Sequence, residues 1–194
     1  MTENVFATPT ANLETAPQAS QATPEFYVIA ERKLFILSVL SLGLYMYFWS
    51  YKHWSNYKKA TQDEIWPWAR GLFCIFFVHK LYRRADHQIR ISGRSYIFDF
   101  EQWATMLVVI IVAGHIVDKM SDHIESLAAV GTWLLISIPL RAYLMQKGQA
   151  MLNFAAGDAD GSSNARFNIW NYLIMVPGAA LWGFMLYTTL VSYL

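Results

Sequence analysis

The C-terminal twenty-eight residues, Phe167 to Leu194, contain no charged side chain. No other feature limits the fold as tightly. An apolar run of that length is long enough to cross a bilayer, and a chain this short in charged residues could not coat a water-facing surface. Composition agrees: 55% of the chain is hydrophobic and only 15% charged. Soluble domains carry nearer a quarter charged residues.

Three more blocks repeat the pattern. Leu34 to Tyr51 is uncharged and ends in Tyr45, Tyr47, Phe48, Trp49 and Tyr51, aromatics of the kind that sit at headgroup level. Gln102 to Val117 and Ser126 to Leu140, the latter extended past Arg141, are each long enough to span, with Arg141 and Lys119 snorkelling at the ends. In lipid, only a helix satisfies every backbone group of such a segment internally. The expected fold is therefore an all-α integral membrane protein with four transmembrane helices, about 34–51, 102–118, 126–145 and 168–193. A fifth block, 66–82, holds Trp66, Trp68, Phe73, Phe76 and Phe77 among basic residues. It reads as an interfacial helix, with a fifth span as the alternative.

Residues 1–31 lack Lys and Arg and are rich in Thr, Ala, Gln and Pro. They read as a disordered polar tail ahead of a single helical membrane domain over 32–194. The basic residues orient the spans. Four spans place the nine basic residues of 52–101 in the cytoplasm and the N-terminal side outside; five spans place the N-terminal side inside. Both put 84–101 and 146–166 in the cytoplasm and 118–125 outside. A net charge of +1 argues against nucleic acid as a partner. The single Cys74 excludes an intramolecular disulfide and a multi-cysteine zinc site.

The stretch from Ser41 through Leu42, Gly43, Leu44 and Tyr45, followed by Phe48, Trp49, Tyr51 and Lys52, resembles the recurring element of a family of small bacterial inner-membrane proteins: a (Ser/Thr)-Leu-Gly-(Leu/Ile)-Tyr turn and an aromatic run with Lys. The resemblance covers roughly residues 26–90. Members are sometimes labelled transporter permeases. It implies a multi-pass protein of the bacterial inner membrane and no particular activity.

Several residues carry more specific expectations. Lys80, Arg83 and Arg84 form a lipid- or partner-facing basic patch on the cytoplasmic side. His53, His79 and His87 stand beside basic and aromatic residues, as headgroup contacts rather than catalysts. His115, Asp118 and Asp122 fall on one helix face at i, i+3 and i+7, a weak candidate metal set read first as a helix end meeting water. Asp158 and Asp160 lie in a polar turn lacking the further ligands of a calcium loop. Gly43 reads as a packing glycine within a span; Pro139, Pro177 and Gly178 read as structural kinks. No nucleophile–base pair, phosphate-binding glycine loop or HExxH pattern is present, so no catalytic residue and no cofactor are expected. The leading expectation is a non-enzymatic accessory or envelope-maintenance protein acting through the lipid bilayer, a membrane-protein partner or a homo-oligomer. The alternative is a subunit of a small transporter or channel.

Overall fold

The computed structural model describes residues 24–121 and 127–194. Among them every regular element is helical. Three helices are long and apolar enough to cross a membrane: α5 (Phe100–Ser121), α6 (Leu127–Ala156) and α7 (Ile169–Val191). Their surfaces suit lipid. Only 11% of the apolar stretch of α7 is buried inside the protein, and Trp170, Leu173, Val176, Phe184, Tyr187 and Leu190 point outward. Along α5, Met106, Val109, Val112 and Ile116 do the same. Apolar side chains exposed around a helix need lipid in place of water.

The expected span over 34–51 is not one helix. It is α1 (Glu31–Leu40), a turn, and α2 (Tyr45–Thr61). Leu42 and Gly43 both have positive φ, 54° and 87°. The Gly43 N–H donates to the Ser38 carbonyl at 2.8 Å, closing α1 with the six-residue loop typical of a helix C-terminus. The Ser41 hydroxyl then accepts the Tyr45 N–H at 2.9 Å, satisfying an orphan donor at the start of α2. The Ser-Leu-Gly-Leu-Tyr element is therefore a helix breaker. Gly43 is a turn residue and not a mid-span packing glycine, because its left-handed backbone suits glycine best.

Contacts along α6 give the course of this break. Ile29 lies against Asn153 and Gly43 against the Arg141 guanidinium, twelve positions earlier on α6. Trp49 then returns to Gln149. The chain thus enters along α6, turns beside Arg141 and comes back. On its other side α1 packs on α7: the Trp182 indole donates to the Val39 carbonyl at 2.8 Å. A Cβ on Gly178 would collide with the Leu40 carbonyl. Gly178 is thus a close-approach site, with Pro177 beside it in the helix.

The block 66–82 also divides, into α3 (Pro67–Leu72) and α4 (Cys74–Ile91), with Phe73 between them. Pro67 suits the first helical position, where no N–H is needed. Helix α3 runs back along α2, where Gly71 meets the backbone of Tyr47 and Tyr51. Helix α4 leaves along α5, with His79 at Thr105 and Arg83 at Glu101. A second, shallower bend results, exposing Leu72, Phe73 and Phe76 at its tip.

The remaining departures from expectation concern lengths. α6 continues to Ala156 instead of ending near 145; α1 and α4 pack along it, and α2 reaches its extension through Trp49 and His53 at Gln149. Pro139 lies inside it. Phe26 and Ile29, assigned to the polar tail by composition, are fully buried. The aromatic core holds Trp49, Trp54, Tyr57 and Tyr82, all at most 1% exposed.

Candidate functional site

At the loop end of α6 the segment 27–30 is held by side chains in place of a neighbouring strand. Asn153 serves Ile29 twice: its Oδ1 accepts the Ile29 N–H at 3.3 Å and its Nδ2 donates to the Ile29 carbonyl at 2.9 Å. The Gln149 amide donates to the Tyr27 carbonyl at 2.9 Å and to Asn153 Oδ1 at 2.7 Å. The His53 Nδ1 accepts the Tyr27 N–H at 3.2 Å. That fixes the tautomer: Nε2 carries the proton and donates to Gln149 Oε1 at 3.1 Å, alongside the Trp49 indole at 2.6 Å. His53 is fully buried, not a headgroup contact as its sequence neighbours imply, and burial pushes its pKa down to about 3. The network is saturated and holds no nucleophile, so its role is to position the chain entering α1.

Beside it lies a groove of about 700 Å³ between α1, the start of α2 and the first half of α7. Its walls are apolar: Leu40, Leu44, Leu173, Ile174, Pro177 and Leu181. Its mouth is polar, with Tyr27, Lys33, Asn164 and Asn168. Lys33 is only 3% exposed and donates to Asn164 Oδ1 at 2.7 Å and to the Arg166 carbonyl at 2.6 Å. Asn168 caps α7 reciprocally with Asn171.

A second depression, of about 600 Å³, follows one stripe of α4: Phe76, His79, Lys80, Arg83, Arg84 and His87. The spacing i, i+3, i+4, i+7 places these on one helix face. The structure therefore brings together the three basic residues expected there, and adds two histidines. Their freedom differs. Lys80 is exposed, and Arg83 reaches Glu101 at 3.6 Å in a solvent-open pair. Arg84 is more committed: it lies 4.8 Å from the Tyr57 ring centre and 4.0 Å from Asp63, to which the Tyr57 hydroxyl donates at 2.6 Å.

His115 is exposed on α5. Asp122 and the Asp118 side chain lie outside the described residues. Among the described residues no cluster of three His, Cys, Asp or Glu side chains has the geometry to hold a metal. The Asp158 carboxylate accepts from Ser162 N, Ser162 Oγ and Ser163 N, which holds its pKa down to about 2. It closes the polar turn before α7, with Gly161 pressed on the Ile29–Ala30 backbone.

Sequence reasoning missed Lys33, Gln149, Asn153 and the groove. One signal was available. Gln149 and Asn153 stand at i and i+4, the spacing of two side chains on one helix face. Comparison with protein-family models, curated proteins and solved structures finds no match to this chain.

Proposed function

We propose that this chain is a non-enzymatic protein of the bacterial inner membrane that acts by engaging anionic lipid from the cytoplasmic leaflet. The observation that carries this reading is the pairing of exposed apolar and basic groups around α3 and α4. Trp66, Trp68, Leu72, Phe73 and Phe76 are all more than half exposed, and Lys80 and Arg83 follow within two turns of Phe76. An aromatic tip that enters the acyl region beneath cations at phosphate level is the arrangement of an interfacial anchor.

The folded-back course of α1 and α2 supports the sidedness. It leaves residues 24–31 and 52–101 at the same end of the three long helices. Thirteen of the fifteen Lys and Arg residues then lie on that side, with Lys119 opposite and Arg141 within α6. That bias exceeds the one either a four-span or a five-span arrangement produces, and positive charge marks the cytoplasm.

One observation favours the alternative, a subunit of a small transporter or channel. A broken helix whose turn touches an arginine inside a long apolar helix is a feature of substrate pathways. So few spans would need to oligomerise to enclose one.

The lipid reading has a direct test. Lys80→Gln/Arg83→Gln is expected to raise amide hydrogen exchange over 66–84 in nanodiscs containing phosphatidylglycerol, each cation contributing on the order of 1 kcal/mol. In pure phosphatidylcholine the variant and the parent protein should match. Equal protection in both lipids for both proteins would sink the proposal.

A further inference from the structure

Lys33 is a buried cation with no carboxylate within 4 Å among the described residues. Its two hydrogen bonds go to neutral oxygens, Asn164 Oδ1 and the Arg166 carbonyl. An ammonium withdrawn from water without a counter-charge is costly, and the third N–H belongs to a group lining the groove. The Phe167 ring faces the ammonium at 5.9 Å from its centre, an aromatic contact that carries no full charge. The N-terminal end of α7 begins at the same mouth, and the Arg166 side chain is exposed next to it. No carboxylate lines the mouth among the described residues.

Below the mouth the groove is greasy and of one leaflet's depth. From Asn168 to Leu181 helix α7 rises about 20 Å. Half a bilayer with its headgroup region is also about 20 Å thick. The turn at Ser41–Leu44 lines its deep part, and its volume of about 700 Å³ lies within the range of ligand pockets. Charge at the lip and hydrocarbon below match an amphiphile far better than a soluble anion, which would leave the apolar walls empty.

We propose that this groove is a binding site for one anionic phospholipid, its phosphate on Lys33 and an acyl chain between α1 and α7 against Ile174, Pro177 and Leu181. The site is separate from the α4 stripe and shares with the preceding proposal only the placement in a bilayer. Here a single lipid is held by shape and charge, whereas α4 touches the membrane surface at large. The groove wall is formed by the break in the first apolar block, since a continuous helix over 34–51 could not return past Tyr45 and Phe48.

The experiment reconstitutes the full chain in phosphatidylcholine bilayers with and without phosphatidylglycerol, extracts it gently, and counts retained lipid by native mass spectrometry. The parent protein is expected to keep one phosphatidylglycerol, at least tenfold in preference to phosphatidylcholine. Lys33→Met should abolish that preference and Lys33→Arg should keep it. Because Lys33 also ties α1 to the loop before α7, Ile174→Trp provides an independent arm: it fills the groove without touching Lys33, and should lose the bound lipid at an unchanged helical content. Lys80→Gln/Arg83→Gln should retain the lipid, which separates this site from the surface patch. Glycerol phosphate added to detergent-solubilised protein should not bind. Equal retention of both lipids by the parent protein, or retention that survives both Lys33→Met and Ile174→Trp, would overturn the proposal. So would tight binding of free glycerol phosphate.

Discussion

Asn153→Leu is expected to lower the unfolding free energy by about 4 kcal/mol. The change strands the Ile29 N–H and carbonyl together, and removes a partner of the Gln149 amide. All lie in the buried core, where each unmatched group costs about 1–3 kcal/mol. Leucine keeps the branched skeleton of asparagine but its methyl groups are bulkier, so crowding at this fully buried site adds to the loss. Thermal unfolding in detergent should shift down by roughly 10 °C, taking about 2–4 °C per kcal/mol for a chain of this size. A shift within 1 °C would mean that Phe26 and Ile29 hold the entering segment by packing alone, and that the amide network is incidental.

The second large effect is a loss of stability in mild acid. His53 is neutral in the folded protein because burial depresses its pKa to about 3. In the unfolded chain it titrates near 6.5. The folded pKa is the lower one, so as pH falls the unfolded state takes up the proton first. Stability is full above about pH 6.5 and is lost below it, by roughly 1 kcal/mol per pH unit, reaching about 3 kcal/mol at pH 4. Two other groups bear on this window. Burial raises the Glu25 pKa, which works in the opposite direction, and Asp158 titrates below pH 4. The contribution of His53 is therefore the difference between the parent protein and His53→Asn, whose side chain can still accept the Tyr27 N–H. Parallel pH profiles for the two proteins would show that His53 is not the group responsible.

The parts of this fold that sequence reveals are those that depend on hydropathy. Spans 102–118 and 168–193 match α5 and α7 closely because uncharged runs of that length have one solvent available to them. The basic stripe on α4 is legible for a related reason: three cations and two histidines at helical spacing share a face whatever the tertiary structure. The first block defeats the same reasoning. Hydropathy averages over residues, whereas the break at 41–44 depends on two backbone angles and one hydroxyl. Ser41 followed two residues later by Gly43 was the available cue. Helix α6 outruns the expected 126–145 because Gln146, Lys147 and Gln149 resemble a loop when nothing packs on them. In the folded chain Gln149 is fully buried among groups from residues 27, 49 and 53. Lys33 directly precedes the first apolar block, and only the fold places it at the mouth of a groove.

The sidedness of the chain on either side of the Ser41–Leu44 turn decides most of this account. Single cysteines at Arg32, Lys59 and Lys119, all exposed positions, can be introduced in a Cys74→Ser background and labelled in intact cells with a membrane-impermeant maleimide. Arg32→Cys and Lys59→Cys are both expected to stay protected until the membrane is opened, while Lys119→Cys reacts at once. Labelling of either Arg32→Cys or Lys59→Cys from outside, with the other protected, would mean that residues 34–51 cross the bilayer. That result would contradict the folded-back α1–α2 arrangement, and with it both lipid sites.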